Sequence, residues 1–298
     1  MRKICFLAAA IVAALPVAQS VRAASIVVPS GIEVPSSFRQ IADYGSWRLF
    51  EGDAADLPTK SWVLGDAHRL KFDRLLINTR LPVIEAPAGF SLKSPNAAAL
   101  QIVQFVGPIK DAWLDQLRAA GAVPIQYVDS DGYLVWADVA TRSKLDAMVA
   151  SGQVLQYSKS LPGFIKLGNS LFDRLQRGAP GTEKASVIVQ RYRHDGAGGR
   201  ERFSALGLKP IDDWTPQLGY EIARFEASDA QIRQLIEFPD VFWVGEYVAP
   251  RMNDEMQAQI LHGNLNADQS TPLEPGYLPW LRSLGFSEEA DAYPILDI

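Results

Sequence analysis

The feature that most constrains the fold is an internal repeat, because a duplicated sequence predicts a duplicated structural unit. Residues 101–104 read QIVQ, and residues 187–190, 86 positions later, read VIVQ. Further identities follow in the same order, first at an offset of 86 and then at 87. At 86 they are Gly121 with Gly207, Pro124 with Pro210 and Ile125 with Ile211, and at 87 they are Gly132 with Gly219, Tyr133 with Tyr220 and Val154 with Val241. The shared order predicts a tandem duplication of a unit of about 80 residues.

The hydrophobic pattern divides the first copy into strands and helices. Apolar, β-branched stretches alternate with segments whose apolar residues recur at helical spacing. One helix is expected to end at Gly121, and the next is expected to be capped by Thr141 and to end at Gly152. The first copy therefore predicts a strand at 100–106, a helix at 111–120, a hairpin of strands at 123–128 and 133–139, a helix from Thr141, and a strand at 154–157.

The second copy repeats this order. Its predicted elements are a strand at 186–192, a helix at 199–206, a hairpin around 216–219, a helix that begins at Ser228, and a strand at 241–247. The order strand, helix, strand, strand, helix, strand is that of a ferredoxin-like unit, an antiparallel four-stranded sheet with both helices on one face. The sequence thus predicts an α+β fold with two tandem ferredoxin-like domains, at 98–167 and 184–251. A linker at 168–183 joins them, and an irregular, β-rich extension at 24–97 precedes them.

The first 23 residues have the pattern of a secretory signal peptide. Arg2 and Lys3 form a positive head, residues 4–17 are an apolar run, and small residues at Val21 and Ala23 predict cleavage between Ala23 and Ala24. The run is shorter than the roughly 20 residues that span a bilayer. The sequence therefore predicts a secreted or periplasmic protein with no membrane association after the signal is removed.

Composition narrows the classes of function. The formal net charge is −5, and it becomes −8 without the leader, because the leader carries three basic and no acidic residues. Basic residues are scattered, so the chain has no cationic field to hold nucleic acid. The single cysteine, Cys5, lies in the leader, and the chain has three histidines. We expect no nucleic-acid partner, no metal site and no cofactor.

The segment after the second copy carries a resemblance. Residues 253–260 form a short amphipathic stretch, residues 275–281 read PGYLPWL, and an apolar strand ends with Leu296, Asp297 and Ile298. Two ferredoxin-like units behind a signal peptide, followed by these features, resemble the N-terminal part of the precursor of a bacterial secreted subtilisin-like serine protease. In that family, the subtilases, the ferredoxin-like unit is the fold of the inhibitory propeptide. The resemblance implies that residues 252–298 are a linker and the start of a protease domain, with the catalytic Asp expected after Asp297.

The resemblance also implies a function. It identifies the chain as a non-catalytic pro-region that acts as intramolecular chaperone and temporary inhibitor of its cognate protease domain. The tail after the last strand of the second copy would pair in extended form with the substrate-binding edge of the protease. That tail comprises Tyr247, Val248, Ala249, Pro250 and Arg251. No catalytic residue is assigned, because the sequence contains neither a Gly-x-Ser-x-Gly elbow nor a Gly-Thr-Ser motif.

Two alternatives stay open from the residues alone. The first is a free-standing exported protein that binds a peptide or a protein through its tandem ferredoxin-like domains. The second is a hydrolase, whose site would have to be built from carboxylates that the sequence does not pair. Adjacent carboxylates occur at Asp212 with Asp213 and at Glu288 with Glu289. Adjacent carboxylates without the spacing of a calcium loop are typical of a solvated surface, which favours the first alternative.

Overall fold

The structure, a computed structural model, describes residues 24–72, 75–81, 84–178, 184–194, 199–249, 254–273 and 276–286. The predicted signal peptide, Ala23 included, lies outside these residues, and so do Pro250, Arg251 and the predicted strand at 295–298. The fold is α+β with antiparallel sheets, which confirms the predicted class. The chain divides into a unit that ends at Tyr247 and a second unit that begins at Val248. None of the described helices is long and apolar enough to cross a membrane.

The N-terminal extension forms its own four-stranded sheet. The strands are β1 (Ala24–Pro29), β2 (Arg39–Asp43), β3 (Trp47–Gly52) and β4 (Trp62–Val63), in the order β2-β3-β1-β4. Alternation along β1 directs Ile26 and Val28 to one face, where they pack with Phe38 and Phe50. Val27 points to the opposite face and joins the core of the first copy. The extension is therefore packed against the first copy, in agreement with its predicted β-rich character.

A hairpin follows and covers one face of the next sheet. It consists of β5 (Arg69–Phe72) and β6 (Leu75–Asn78), with Leu70 opposite Ile77. These two side chains are buried against Leu100, Ile102 and Leu134 of the first copy. The fully buried Gln104 side chain binds the hairpin region at two points. Its amide donates to the carbonyl of Arg69 at 3.0 Å and accepts from the Thr79 hydroxyl at 2.6 Å.

The first copy has the predicted order of elements. These are β7 (Ala99–Phe105), α1 (Asp111–Ala120), β8 (Val123–Val128), β9 (Gly132–Ala137), α2 (Val139–Ser151) and β10 (Leu155–Ser160), and the antiparallel sheet has the order β10-β7-β9-β8. The predicted cap of α2 is wrong by three residues. Asp138 is the N-cap, and its carboxylate accepts from the backbone of Thr141 at 2.7 Å, as expected of a short acidic side chain one position before the helix. Gly152, in the left-handed conformation, ends the helix as predicted.

The predicted linker at 168–183 contains a helix. Asn169–Arg177 form α3, which ends at the left-handed Gly178. Leu171 and Leu175 lie one helical turn apart, are almost fully buried, and belong to the core of the second copy. The Gly and Pro residues that suggested a linker follow the helix rather than replace it. The segment between the copies is thus partly a structural element of the second copy.

The second copy has the same order of elements as the first. They are β11 (Ala185–Tyr192), α4 (Glu201–Ala205), β12 (Thr215–Gln217), β13 (Tyr220–Ala227), α5 (Asp229–Leu235) and β14 (Val241–Glu246). The sheet order β12-β13-β11-β14 places the first and third strands in the centre and the second and fourth at the edges, as in the first copy. Ser228 caps α5 as predicted, in a capping box with Gln231.

The offset of 86 holds at the first strand, the first helix and the last strand. Gly121 and Gly207 both have positive φ after their helices, and the next residue donates to Leu117 in one copy and to Phe203 in the other. In the last strands, Leu155 lies opposite Phe105 in the first copy, and Val241 lies opposite Arg191 in the second. A register shift adjoins each of these pairs, so Leu155 corresponds to Val241. The predicted match of Val154 with Val241 is therefore wrong by one residue.

The predicted match in the hairpin is also wrong. Gln101 lies opposite Val135, whereas Val187 lies opposite Phe225, so the third strands correspond at an offset of 90. Gly132 and Tyr133 consequently do not correspond to Gly219 and Tyr220. The second copy has four more residues between its first helix and its third strand, and four fewer between its helix cap and its last strand. The two changes cancel, which is why the offset returns to 86.

The described residues of the second unit contain two short helices, α6 (Asp254–Leu261) and α7 (Tyr277–Ser283). In the segment that connects the two helices, Leu265 and Pro272 form an isolated antiparallel bridge. His262 follows α6 directly before Gly263, which has positive φ, and its ring lies 5.8 Å from that of Trp280. This unit agrees with the predicted amphipathic stretch near 253–260.

Candidate functional site

The predicted tail begins at the edge of the second sheet. β14 is the outermost strand and pairs with β11, and the backbone N–H of Tyr247 still donates to the carbonyl of Ser186 at 2.8 Å. The guanidinium of Arg224 lies over the Tyr247 ring, 4.4 Å from its centre. Val248 is 77% exposed, and Ala249 is exposed. Of the five predicted tail residues, Tyr247 is therefore anchored on the sheet, and the next two are accessible.

The outer side of β14 is partly covered. Leu167 forms a parallel bridge with Val244, and the N–H of Gly168 donates to the Val244 carbonyl at 2.8 Å. The approach is close at Gly168, where a Cβ would lie 3.3 Å from the Cα of Gly245, so a side chain there would require a small shift of the strand. The bridge thus occupies the outer side of β14 at Val244, and the predicted tail begins three residues later, at Tyr247.

A buried cluster of charged groups lies at the other end of the second sheet. The guanidinium of Arg191 contacts two carboxylates: Nε donates to Asp240 at 2.9 Å, and Nη1 donates to Glu221. All three side chains are at most 5% exposed. Burial of unpaired charges is costly, so the cluster is stable only because each carboxylate has a cationic partner. It fixes β11, β13 and the turn before β14 to one another.

Three further groups surround the two carboxylates. Arg200 donates to Glu221 at 2.5 Å, and Arg202 donates to Asp240 at 2.7 Å. His194 Nε2 lies 3.5 Å from Asp240, and its ring stacks on Trp136 of the first copy with centres 4.5 Å apart. The cluster thus continues into the contact between the two copies.

The charges of the cluster set the acidity of Asp240. Burial acts to raise the pKa of its carboxyl, but the hydrogen bond from His194 and the charges of Arg202 and Arg191 outweigh burial and lower the pKa. A general base needs a pKa near the working pH. The arrangement of Asp240 is therefore that of a structural ion pair rather than of a general base.

Lys166 is a second buried cation next to the cluster. Its side chain is 4% exposed, and its Nζ donates to the Phe238 carbonyl at 2.8 Å. Burial lowers the pKa of the Lys166 ammonium to about 8, although Glu237 and Asp240 act to raise it. Because Phe238 and Lys166 lie on different copies in sequence, this bond helps to hold the segment after β10 against the second copy.

The sequence analysis did not identify the charged cluster. A signal for it exists in the strand pattern, since Ala185, Val187 and Val189 alternate toward the core and Arg191 occupies the next inward position. Glu221 likewise precedes the inward residues Ala223 and Phe225 of β13. An arginine and a glutamate at inward positions of neighbouring strands indicate a buried ion pair.

Comparison with known proteins gives one result. Residues 70–157 match a protein family described as a domain of unknown function, DUF8729. The match begins in the β5–β6 hairpin and ends within β10, so it covers the hairpin together with nearly all of the first copy. No curated protein and no solved structure matches the chain.

Proposed function

We propose that this chain is the pro-region of a secreted subtilisin-like serine protease and that each of its two copies is a ferredoxin-like domain. The observation that carries the proposal is the equal strand order of the two sheets, followed by a tail that leaves the edge of the second sheet. The pattern of the first 23 residues supports export. The partner is the cognate protease domain, and no residue of this chain is catalytic.

The chaperone role follows from folding kinetics. A large α/β protease domain has many contacts between residues that are distant in sequence, and such contacts slow folding. A small domain that folds quickly and binds the native arrangement of the protease lowers this barrier. The same bound surface then blocks the substrate cleft until the pro-region is removed.

The inhibitory role is assigned to the tail. The backbone N–H of Tyr247 donates to the carbonyl of Ser186, so the tail begins at a residue held on the sheet. Val248 is exposed and is available to pair with the cleft of a protease. In this proposal Val248, Ala249, Pro250 and Arg251 act as a substrate-like strand, and Tyr247 anchors them.

Inhibition kinetics test this proposal. The chain from Ala24 onward is added to a secreted subtilisin, and the inhibition constant is measured for it and for a variant that lacks residues 247–251. We expect the deletion and the substitution Val248→Asp each to raise the inhibition constant at least about tenfold, equivalent to ~1.4 kcal/mol. Leu218→Asp is the matched control, because Leu218 is 94% exposed in the turn before β13 and lies outside the tail. Equal inhibition by all four proteins would remove the tail from the mechanism, and an absence of inhibition would contradict the proposal.

A refolding experiment tests the chaperone role separately. A denatured subtilisin-type protease domain is diluted with and without the chain, and the recovered peptidase activity is followed after the chain has been digested. Faster recovery with the chain supports the proposal. The alternative function, a free-standing exported binding protein, predicts no effect on either inhibition or refolding, and the open strand edge of the first copy is the observation that favours it.

A further inference from the structure

The first copy has an open strand edge that the proposed inhibition does not use. β10 lies at the end of its sheet, and no strand of the described chain pairs with its outer side. The corresponding strand of the second copy, β14, has Leu167 against its outer side. The two copies therefore differ at equivalent edges: among the described residues neither a strand nor a bridge lies against the outer side of β10, which is buried at Ser158 and more accessible at Lys159 and Ser160.

The backbone of β10 is oriented for pairing on this outer side. Leu161 donates to the carbonyl of Leu100 at 3.0 Å, and the register places Ser160 opposite Gln101. In an antiparallel pair, residues alternate between those that bond to the partner strand and those whose N–H and C=O point away from it. Ser158 and Ser160 are of the second kind. Their backbone groups are those that an added strand would bind.

A groove of about 460 Å³ runs beside this edge. Ser158, Lys159 and Ser160 line it, together with residues of α2 and residues 92–95. Leu92 and Val139 are apolar but 44% and 51% exposed. An added strand directs alternate side chains to opposite faces, so one set would cover this apolar surface and the other would lie near Lys159.

The charges in the groove favour an acidic occupant. Lys93, Arg142 and Lys159 line it, against one carboxylate, Asp146. Lys93 lies 3.8 Å from Glu237, which offsets its charge. Arg142 donates to the carbonyls of Pro95 at 2.8 Å and Ala97 at 3.0 Å, and thereby holds the wall of the groove while its positive charge remains. The groove is still positive on a chain whose formal charge is −5.

We infer that this groove binds an extended, acidic segment of a partner protein, which adds to the first sheet as a fifth strand beside β10. Backbone bonds to Ser158 and Ser160 would supply affinity, and Lys159 would select acidic side chains. The inference is independent of the proposed inhibition, because it concerns the first copy, whereas the tail belongs to the second. It assigns the region matched by the family of unknown function a role in protein binding.

The test uses the chain from Ala24 onward and the capped decapeptide (Glu-Val)5, with binding measured by titration calorimetry. Only one edge of an added strand faces β10. Two further peptides carry N-methyl groups on the backbone amides of either the five Val or the five Glu residues. The peptide whose methylated amides face β10 should lose binding, and the other should retain it. The charge-reversed peptide (Lys-Val)5 should bind at least about fivefold more weakly than (Glu-Val)5.

Two protein variants complete the test. Lys159→Glu should weaken binding of (Glu-Val)5 about fivefold. Lys144→Glu is the control with the same change of charge, because Lys144 lies on α2 and its ammonium donates to the Ala120 carbonyl, and it should leave binding unchanged. Circular dichroism establishes that both variants are folded. Absence of binding at 1 mM peptide, or equal binding by the two methylated peptides, would overturn the inference. A dimer of the chain that forms through β10 without any peptide would also overturn it, since the occupant would then be a second copy.

Discussion

Asp131 is a single residue whose charge works against the fold. It lies in the three-residue turn between β8 and β9 with a φ of 60°, next to Ser130 with a φ of 63°, a conformation that short polar side chains tolerate. Burial, reinforced by the charge of Asp129, raises the pKa of its carboxyl from 3.8 to about 6. The folded state therefore binds this proton more tightly than the unfolded state, and the free energy of unfolding falls as the pH rises from about 4 to about 6.

The substitution Asp131→Asn removes this pH dependence. Asparagine also tolerates positive φ, so the turn is retained. We expect the variant to be more stable than the original protein above pH 6 and the difference to shrink as the pH falls toward 4. Urea unfolding at several pH values between 3.5 and 7.5 measures it. Two stability curves that stay parallel over this range would show that the carboxyl of Asp131 is not responsible.

Asp240 and Asp212 allow a comparison, because each carboxylate pairs with arginine but the two differ in burial. Asp240 is fully buried between Arg191 and Arg202, and Asp212 pairs with Arg224 but has a side chain that is 62% exposed. Asp240→Asn should destabilise the protein by ~3–5 kcal/mol, because it leaves buried guanidinium groups without their counter-charge. Asp212→Asn should cost at most ~1 kcal/mol. Urea unfolding at pH 7 compares them, and equal losses would contradict the structural role of the cluster.

At the scale of elements, the ends of the two first helices give a comparison between the copies. Gly121 and Gly207 both have positive φ, and a Cβ is disfavoured there by ~1–2 kcal/mol. A Cβ on Gly121 would also lie 2.8 Å from the hydroxyl of Thr141, whereas a Cβ on Gly207 meets only Gln231 at 3.9 Å. We expect Gly121→Ala to destabilise the protein more than Gly207→Ala does, as measured by thermal unfolding. Equal effects would show that α2 moves away freely.

The elements also show what the sequence could predict. α1 was predicted with its exact bounds, because its apolar residues have helical spacing and Gly121 marks its end. α3 was missed, because a helix of nine residues offers few inward positions and is flanked by glycines. The offset in the hairpin was predicted as 87 although the strand registers give 90. Identical residues happen to occur at 87, close to the offset of 86 on either side, so the two opposite changes of length could not be recognised from the sequence. The charged cluster was missed, because its members come from distant parts of the chain and become neighbours only in the sheet.

At the scale of the whole molecule, α3 determines where the second copy begins. Leu171 fills the core of the second copy, although it lies before that copy's first strand. Leu171→Ala should therefore destabilise the second copy by ~2–5 kcal/mol. Hydrogen exchange of the full chain should show lost protection first in β11, β13 and β14. Asp173→Ala, an exposed change on the same helix, should alter stability by no more than ~0.5 kcal/mol. Protection lost first in β7 and β9 would place α3 with the first copy.

The cancelled changes of length have a consequence for folding fidelity. Proteins with tandem copies of one unit misfold when a strand of one copy takes the place of its equivalent in the other. Here an exchange of the third strand and second helix between the copies would give the last strand a connection four residues too long or too short. Four residues of helix correspond to a displacement of ~6 Å, which disfavours pairing of the last strand in its native register. We therefore expect the different connecting lengths to reduce exchange between the two halves of the chain during folding.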